Sequence, residues 1–553
     1  AAGMEASRTS GLSAAVLRNL SDRAYDKRKS AALEIEAKVK ELKGAPNWPD
    51  IERILQTLAK DYAMSPQSNC RKGGLIGLAA AALGLAGDVE RYLNVLLPPV
   101  LNCFSDQDSR VRYYACEALY NIAKVSKNGL IHHFNQIFEG LCKLCSDIDQ
   151  GVKNASQLLD KLLMDLVSEA TAFDLESFIP VLQAHLRQKN HHVRHFLIGW
   201  ISAIMEFPHV DILPYLPQVL EGLFAMLSDP NREIRMQADA ALVSFLRAME
   251  ERHAAGKSVD YIKLIPVLIK ASTPPHVAQE PNQAMSIVSE SEYGDGGERE
   301  DISTLPQRVG LMWMKSMADL GRGKVLIYTA ELIAFLFEVE ACQQADIIAA
   351  GRSLDVVLRD LVCESKDKSI DYVQVLGAVL VGIKSTEVHA RLQGLKWLEL
   401  LMDILPEDSS TRKKHILPAL LKGMHDPEEL VVKAALEATA KVCANGDLFT
   451  PVMQEILKQF RNDRAVLQER GGLIIRQLCQ SMGAQRIFLE LAKLLITDDH
   501  LDIDFAETFT QKLNLILLTV PEAAQLRKKL MQEGGSEPQI EGSEVFKMLF
   551  RSW

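Results

Sequence analysis

Two groups of cysteine and histidine residues have a spacing that metal ligands can use. Cys142 and Cys145 form a C-x-x-C pair, but a zinc site needs four ligands and the sequence offers no matching second pair. His191 and His195 stand one helical turn apart with His192 between them, and no acidic or cysteine partner accompanies them. We therefore predict thiols within an apolar helix end, a solvated turn at His191 and His192, and no metal site.

Two glycine-containing segments resemble phosphate-binding loops in composition but not in spacing. Gly321–Lys324 does not meet the pattern G-x-x-x-x-G-K-[ST], and no strand is predicted before it. The glycines of Arg71–Ala79 (RKGGLIGLA) lie in a helical pattern, where they allow close helix packing or close approach of a partner. No nucleophile elbow, H-E-x-x-H motif or pair of catalytic carboxylates is recognisable. We predict no catalytic residues, no cofactor and no enzyme, with an unrecognised all-α enzyme as the least favoured alternative.

The composition indicates a helical protein of a reducing compartment. Of the 553 residues 48% are hydrophobic and only 6% aromatic, which suits closely packed helices better than sheets. The formal net charge of −10 argues against general nucleic-acid binding. Nine cysteines, an odd number scattered through the chain, indicate free thiols. Without a signal peptide or an apolar run of about 20 residues, we expect a cytosolic chain whose membrane contact is peripheral.

The elements that carry these residues follow a repeat of about 41 residues. A basic residue recurs at this spacing, at Arg71, Arg112, Lys153, Arg194 and Arg235. Six residues ahead of it stands an aspartate, at Asp106, Asp147 and Asp229, with Gln188 breaking the set. This period is typical of HEAT arrays. The sequence thus predicts an all-α HEAT-repeat α-solenoid, a superhelix of antiparallel helix pairs.

Each repeat is expected to contain two helices joined by a short turn. The turn aspartate is predicted to cap the second helix and to meet the basic residue of a neighbouring repeat along the stack. The second helix should bury one apolar stripe, which in one repeat consists of Val111, Ala115, Ala118, Leu119 and Ile122.

The repeat register divides the chain into four regions. Residues 1–250 hold the regular N-terminal repeats. Residues 251–370 are predicted to be irregular helices interrupted by an acidic linker at 271–306. Further repeats occupy 371–460, with basic anchors at Arg391 and Lys433, and a C-terminal helical region begins at 461 and runs to 553.

Basic and aromatic residues are expected along one edge of the N-terminal repeats. Arg112 is equally compatible with an intramolecular Asp–Arg ladder and with partner contact. Lys72 and Arg110 have no predicted ladder role, so they are better candidates for a partner. Tyr113 and Tyr114 are of a residue type that is enriched in binding hot spots, and one of the two is expected to face the core.

Several long segments resemble the Vac-fourteen family, the vacuole-morphology HEAT scaffold of the phosphatidylinositol 3,5-bisphosphate kinase complex. The resemblance covers residues 20–250 well and 371–553 fairly, and its first segments are more distinctive than generic HEAT similarity. The segments are DKRKSAALEIE (Asp26–Glu36), RKGGLIGLA (Arg71–Ala79), DSRVRYYACEALYNI (Asp108–Ile122), YLPQVLEGLF (Tyr215–Phe224), RGGLIIRQLC (Arg470–Cys479) and FKMLFRSW (Phe546–Trp553).

The resemblance implies a scaffold without catalytic activity. It would hold a PIKfyve-type lipid 5-kinase through residues 1–250 and a Sac-domain phosphoinositide phosphatase through the C-terminal region, on the cytoplasmic face of endosomal and vacuolar membranes. The implied kinase-facing residues are Arg71, Lys72, Gly73, Gly74, Arg110, Arg112, Tyr113 and Tyr114, with Leu158 supporting them by packing.

The resemblance also has two departures. Residues 271–370 match poorly, and the family extends beyond the RSW motif on which this chain ends. Residues 461–553 are therefore expected to be the truncated start of a region for phosphatase binding and self-assembly, and self-association is expected of the full-length protein. The alternative is another HEAT adaptor, such as a transport receptor or a phosphatase scaffold, whose repeats alone would look much the same.

Overall fold

The computed structural model describes residues 11–171, 173–257, 260–273, 304–342, 344–365, 370–404, 415–443, 448–497, 502–532 and 547–551. These residues form helices and turns and contain no strand, so the predicted all-α class is confirmed. Their contacts define two units, Ala1–Ala271 with Gly297–Pro306, and Ser272–Gly296 with Gln307–Trp553. Most of the predicted acidic linker, 271–306, lies outside the described residues.

The first unit consists of antiparallel helix pairs. Short 3-10 segments continue several helices, and a π-helical turn, Thr57–Ala63, follows α3. The helices are α1 (Ala14–Leu20), α2 (Tyr25–Gly44), α3 (Trp48–Gln56), α4 (Ser68–Leu85), α5 (Leu93–Asn102), α6 (Ser109–Ser126), α7 (Phe134–Leu144), α8 (Gln150–Glu169), α9 (Leu175–Leu186), α10 (His191–Glu206), α11 (Leu216–Met226), α12 (Arg232–Ala254) and α13 (Leu264–Ser272).

The second helices of successive repeats, α2, α4, α6, α8, α10 and α12, stack in order along the unit. The predicted stripe of α6 is buried, with Val111, Ala115 and Leu119 fully inaccessible to solvent. The backbones of α8 and α10 are farther apart than those of the other stacked pairs. Trp200 of α10, which is also fully buried, fills part of this space.

The second helices begin after a turn that uses two polar residues. The prediction that the turn aspartate itself caps the helix is therefore wrong. Asp106 Oδ1 accepts a hydrogen bond from the amide of Asp108, and Asp108 then caps α6 by accepting from the Arg110 amide. Asp147 and Asp149 repeat this arrangement at α8. The helix cap is thus the residue two positions after the turn aspartate, because the turn aspartate folds the loop and also faces the neighbouring repeat.

One helical run, Ser68–Ser105, is long and apolar enough to cross a membrane by length and composition, although no such run was predicted. Its most apolar window is 67% buried inside the fold. Such burial is typical of a core helix, because the apolar side chains already contact neighbouring helices.

The second unit is also built from helix pairs. The C-terminal part of the region 251–370, predicted to contain irregular helices, holds α14, α15 and α16. The helices are α14 (Leu305–Gly321), α15 (Thr329–Glu340), α16 (Ala345–Glu364), α17 (Tyr372–Gly382), α18 (Val388–Ile404), α19 (Leu417–Met424), α20 (Glu429–Val442), α21 (Phe449–Asn462), α22 (Arg464–Glu469), α23 (Gly471–Met482), α24 (Ala484–Thr497), α25 (Ile503–Thr519) and α26 (Ala524–Gln532).

Candidate partner-binding surfaces

An Asp–Arg ladder connects neighbouring repeats, as predicted. Arg112 Nε and Nη2 donate to the two carboxylate oxygens of Asp147 at 2.6 and 2.8 Å. Its Nη1 donates to the carbonyl oxygens of Asp106 and Gln107, in the turn before its own helix. The basic residue therefore fixes its own turn and the turn of the next repeat at once. The same pairing over 35 residues joins Arg71 to Asp106, Arg194 to Asp229 and Arg391 to Asp426.

The ladder residues are shielded from solvent, so they contribute to the stack more than to the surface. The Arg112 and Asp147 side chains are 12% and 7% exposed. Burial alone would raise the pKa of Asp147, but the hydrogen bonds from Arg112 and the Asp149 amide outweigh it and lower that pKa. Bidentate geometry and partial burial make this pair stronger than an exposed ion pair.

Lys72 belongs to a second row of contacts, contrary to the expectation that it has no ladder role. Its ammonium lies 2.7 Å from Asp108 Oδ2, and its side chain is 15% exposed. Ser68 Oγ also donates to Asp108. Partial burial raises the pKa of Asp108, but the bonds from Lys72, Ser68 and the Arg110 amide together lower it to about 2. The helix cap of one repeat is thus bound to the preceding repeat.

Gly73 and Gly74 are buried and allow close packing of helices. A Cβ on Gly73 would lie 1.8 Å from the carbonyl oxygen of Leu20, and one on Gly74 would lie 2.4 Å from the amide nitrogen of Ala63. Both distances are far below any possible contact, so only glycine lets α4 approach α1 and the π-helical turn. Neither glycine lies on an accessible surface.

Arg28 holds the basic ladder position at the N-terminal end of the array, but no aspartate stands 35 residues after it. Tyr114 lies beside its guanidinium group instead. The Arg28 side chain is buried, and its Nη1 donates to the carbonyl oxygens of Asp22 and Arg23. The guanidinium carbon lies 5.7 Å from the centre of the Tyr114 ring and 6.0 Å from that of Tyr25. Two stacked aromatic rings thus replace the missing carboxylate.

Neither tyrosine of the Tyr113-Tyr114 pair faces the core, which corrects the prediction. Both rings are half-buried and meet edge to face at 5.6 Å. Tyr113 lies beside Gly151, at the start of α8, where a Cβ would be 3.9 Å from its ring. Arg110 is exposed at the first turn of α6. Hydrogen bonds from the Val152 amide and from Ser109 lower the pKa of Asp149, and the charge of Arg110 lowers it further.

Two exposed apolar residues lie in the repeat that contains α8. Ile148 is 95% exposed in the turn before α8. Leu158 is 64% exposed, so the predicted packing role is wrong. Because it lies two helical turns after Gly151, Leu158 occupies the same face of α8, roughly 10 Å farther along the helix. We call Arg110, Tyr113, Ile148 and Leu158 the α6–α8 patch.

The cysteine and histidine groups do not form a metal centre in the described part of the chain, where no three such residues are placed to share an ion. Burial raises the pKa of both Cys142 and Cys145, in the latter case to about 12. His191 and His192 begin α10 rather than lying in the turn before it, and their rings are 3.9 Å apart. His195 Nδ1–H donates to Gln237 Oε1 of α12 at 2.8 Å.

Comparisons with known proteins identify the family. A model described as the Vacuolar 14 Fab1-binding region matches residues 69–165, and one described as Vacuolar protein 14 C-terminal Fig4p binding matches residues 464–553. The Protein VAC14 homolog of Arabidopsis thaliana is 38% identical over 98% of this chain and 68% of that protein. The chain belongs to the Vac14 family. The Protein VAC14 homolog of Schizosaccharomyces pombe (29% identical) and the Vacuole morphology and inheritance protein 14 of Saccharomyces cerevisiae (25%) each match 97% of the chain, and 75% and 74% of their own lengths.

The first Vac14 family match contains the whole α6–α8 patch. It covers α4 to most of α8, and therefore the ladder pairs of Arg71 and Arg112. Sequence reasoning missed Ile148, since a lone apolar residue in a polar turn has no periodic signal. It also missed the second row of contacts, although its cap residues Asp108, Asp149, Asn190 and Asn231 recur every 41 residues.

The second Vac14 family match covers α22 to α26 in the second unit. Helix α25 buries Phe505, Phe509 and Leu513. Its Leu515 and Leu518 are instead 57% and 69% exposed. These two residues lie three positions apart, hence on neighbouring parts of one helix surface. They form an apolar surface within the matched segment.

Proposed function

We propose that this chain is a non-catalytic scaffold that holds a phosphatidylinositol 3-phosphate 5-kinase and a Sac-domain phosphoinositide phosphatase together. The observation that carries the proposal is the presence of both binding regions on one chain. The Fab1-binding match falls in the first unit and the Fig4p-binding match in the second. Fab1 is a kinase of the PIKfyve type, and Fig4 is a Sac-domain phosphatase. Two separate sites allow both partners to bind at once.

The kinase would contact residues 1–250 through the α6–α8 patch. This patch combines an exposed cation, a half-buried tyrosine and two exposed aliphatic side chains, a composition typical of interface anchors. Arg71, Lys72, Arg112, Gly73 and Gly74 would support it from inside, because they fix the turns and helices that carry it. Tyr114 would support it through its contact with Tyr113 and Arg28.

A co-precipitation with both partners tests this division of roles. The variant Arg110→Glu/Leu158→Glu should lose the kinase and keep the phosphatase. Its matched control, Val243→Glu/Arg247→Glu, makes the same changes at the exposed Val243 and Arg247 of α12. This control lies in the same unit outside the matched range and should keep both partners. Kinase binding that survives in the first variant, with unchanged helical content, would move the interface elsewhere.

The phosphatase would bind residues 461–553, with Leu515 and Leu518 among its contacts. Leu515→Glu/Leu518→Glu should lose the phosphatase and keep the kinase. The control Val373→Glu/Val381→Glu places the same charges on α17, where both valines are at least 70% exposed. If precipitated kinase still retained the phosphatase without this chain, the scaffold role itself would be refuted.

We propose that the scaffold acts on the cytoplasmic face of endosomal and vacuolar membranes and attaches peripherally through its partners. The yeast relative is named for vacuole morphology and inheritance. The net charge of −10 disfavours direct binding to anionic lipid surfaces. Flotation with phosphoinositide vesicles checks this: the chain alone should stay at the bottom of the gradient and should float only with the kinase. Tight binding of the chain alone would contradict it. We further propose that the protein self-associates, which light scattering would measure.

A further inference from the structure

The ladder is interrupted between α8 and α10. Lys153 occupies the basic position of its repeat, and Gln188 stands 35 residues later, where the other pairs have an aspartate. Gln188 Nε2 donates instead to His185 Nδ1 at 2.8 Å. Within the described residues the Lys153 ammonium has no ion-pair partner, although its side chain is half-buried. A basic residue that elsewhere neutralises a carboxylate is therefore left with its charge uncompensated.

A cavity lies at this interruption, where the backbones of α8 and α10 are far apart. Its volume is about 180 Å³, and it opens to solvent on one side. It is lined by Lys153, Gln157 and Asp160 of α8 and by His192, His195 and Phe196 of α10. Lys153, His192 and His195 thus line a space that is large enough for a small oxyanion.

Asp160 makes the charge of the cavity depend on pH. Burial raises the pKa of Asp160 to about 6, although the hydrogen bond from Trp200 Nε1 opposes this. The equivalent pair in the second unit, Asp355 with Trp397, includes an added cation, since Arg359 lies 2.8 Å from Asp355. Asp160 has only Met164 at that position. Protonation of Asp160 therefore removes the one negative charge lining the cavity.

His192 becomes cationic only below the usual pH range of histidine. Burial lowers the pKa of His192, and the charges of His191, Lys153 and His195 lower it further. The other groups nearby are the Cys145 thiol, directly after α7, and Glu233 of α12. Glu233 contacts Gln237, the hydrogen-bond partner of His195. Acidification towards pH 6 therefore acts mainly on Asp160, and its protonation leaves the Lys153 ammonium as the uncompensated charge of the cavity.

We propose that this cavity binds a single phosphoryl group, either free phosphate or a small phosphomonoester, through Lys153 and His192. The proposal does not rest on the scaffold function. A metal ion is the other ligand for histidine and aspartate, but in the described part of the chain no three such groups are placed to share one. Because the cavity opens to solvent, the remainder of a phosphomonoester could lie outside it.

Calorimetric titration of the whole chain tests the site with sulfate, inorganic phosphate and phosphoserine at pH 6.0 and 7.5. Sulfate keeps its charge over this range, whereas phosphate gains a proton with a pKa near 6–7. Any tightening of sulfate binding at pH 6.0 therefore reports on the protein, and we expect at least tenfold. Similar affinities for phosphate and phosphoserine would show that the monoester enters end-on. Much weaker binding of phosphoserine would restrict the site to the free ion.

The variant Gln188→Asp provides the sharpest control, because it supplies the missing ladder carboxylate to Lys153. It should lower sulfate affinity at least tenfold and raise the melting temperature. Asn154→Asp adds the same charge at the exposed neighbour of Lys153 and should change affinity less than twofold. Asp160→Asn should bring sulfate affinity at pH 7.5 close to the value at pH 6.0. Equal affinities in the Gln188→Asp and Asn154→Asp variants, or no measurable sulfate binding at pH 6.0, would overturn the proposal.

Discussion

Replacing Asp147 with alanine should loosen the stack between α6 and α8 without affecting distant repeats. The substitution removes both carboxylate contacts of Arg112 and the acceptor for the Asp149 amide. Removing one partner of a buried ion pair costs about 3–5 kcal/mol. Because Arg112 keeps the carbonyl oxygens of Asp106 and Gln107, the lower end applies, about 3 kcal/mol.

The effect should be local, since the stability of a solenoid is approximately a sum over repeats and their nearest-neighbour interfaces. Amide hydrogen exchange measured by mass spectrometry resolves this. A loss of about 3 kcal/mol corresponds to a protection factor reduced roughly 100-fold in α6 and α8, with little change in the second unit. The control is Asp165→Ala, which removes the same charge from an exposed position of α8. Equal losses in the two variants, or losses spread evenly over both units, would refute the ladder's role.

Three further changes have expected outcomes. Lys127 has φ +46° and ψ −119°, a region that favours glycine, so Lys127→Gly should raise stability by about 1 kcal/mol in a thermal melt. The pKa of Asp108 is lowered to about 2, so its contribution is present above pH 4 and is lost as pH falls towards 2. Asp108→Asn should remove about 1–2 kcal/mol at pH 7, allowing for solvent screening, and flatten the acid limb of the stability curve. The pKa of Asp160 is raised to about 6, so the native state loses stability as pH rises from 4 to 6. Asp160→Asn keeps an acceptor for Trp200 and should stabilise the chain by about 2 kcal/mol at pH 7.5 but little at pH 4, as denaturant melts would show.

The repeat spacing was sufficient to predict the solenoid, the Asp–Arg ladder and the buried stripe of α6, because all three follow from one period of 41 residues. The helical periodicity of α8 also argues against the predicted packing role of Leu158. The buried residues Val152, Ser156, Leu159 and Leu163 define the inward stripe of α8, and Leu158 falls outside it. A stricter use of helical periodicity would have placed Leu158 at the surface.

The placement of Tyr114 and Lys72 could not be predicted in the same way. Tyr114 is covered by Tyr25, a residue two repeats away, and this contact depends on how closely glycine-bearing α4 lets the helices stack. Lys72 occurs at a position where the next repeat has Tyr113, so no period reveals its pairing. The cap position of Asp108 recurs along the array, but its ion pair with Lys72 and the Tyr25–Tyr114 contact do not, so no repeat indicates them.

The ladder also links the second helices of the segment that the Fab1-binding model matches. From α4 to α8 each second helix is bound to the next by Arg71–Asp106 or Arg112–Asp147. The match ends at residue 165, within α8, and the next ladder position has no acid. In a nearest-neighbour array, the missing pair makes the α8–α10 interface weaker than those before it. A partner bound to the α6–α8 patch would therefore contact helices that ion pairs hold together, up to the cavity at Lys153. On our proposal, the side of α8 that faces α6 is fixed by an ion pair, whereas the side that faces α10 responds to protons and anions.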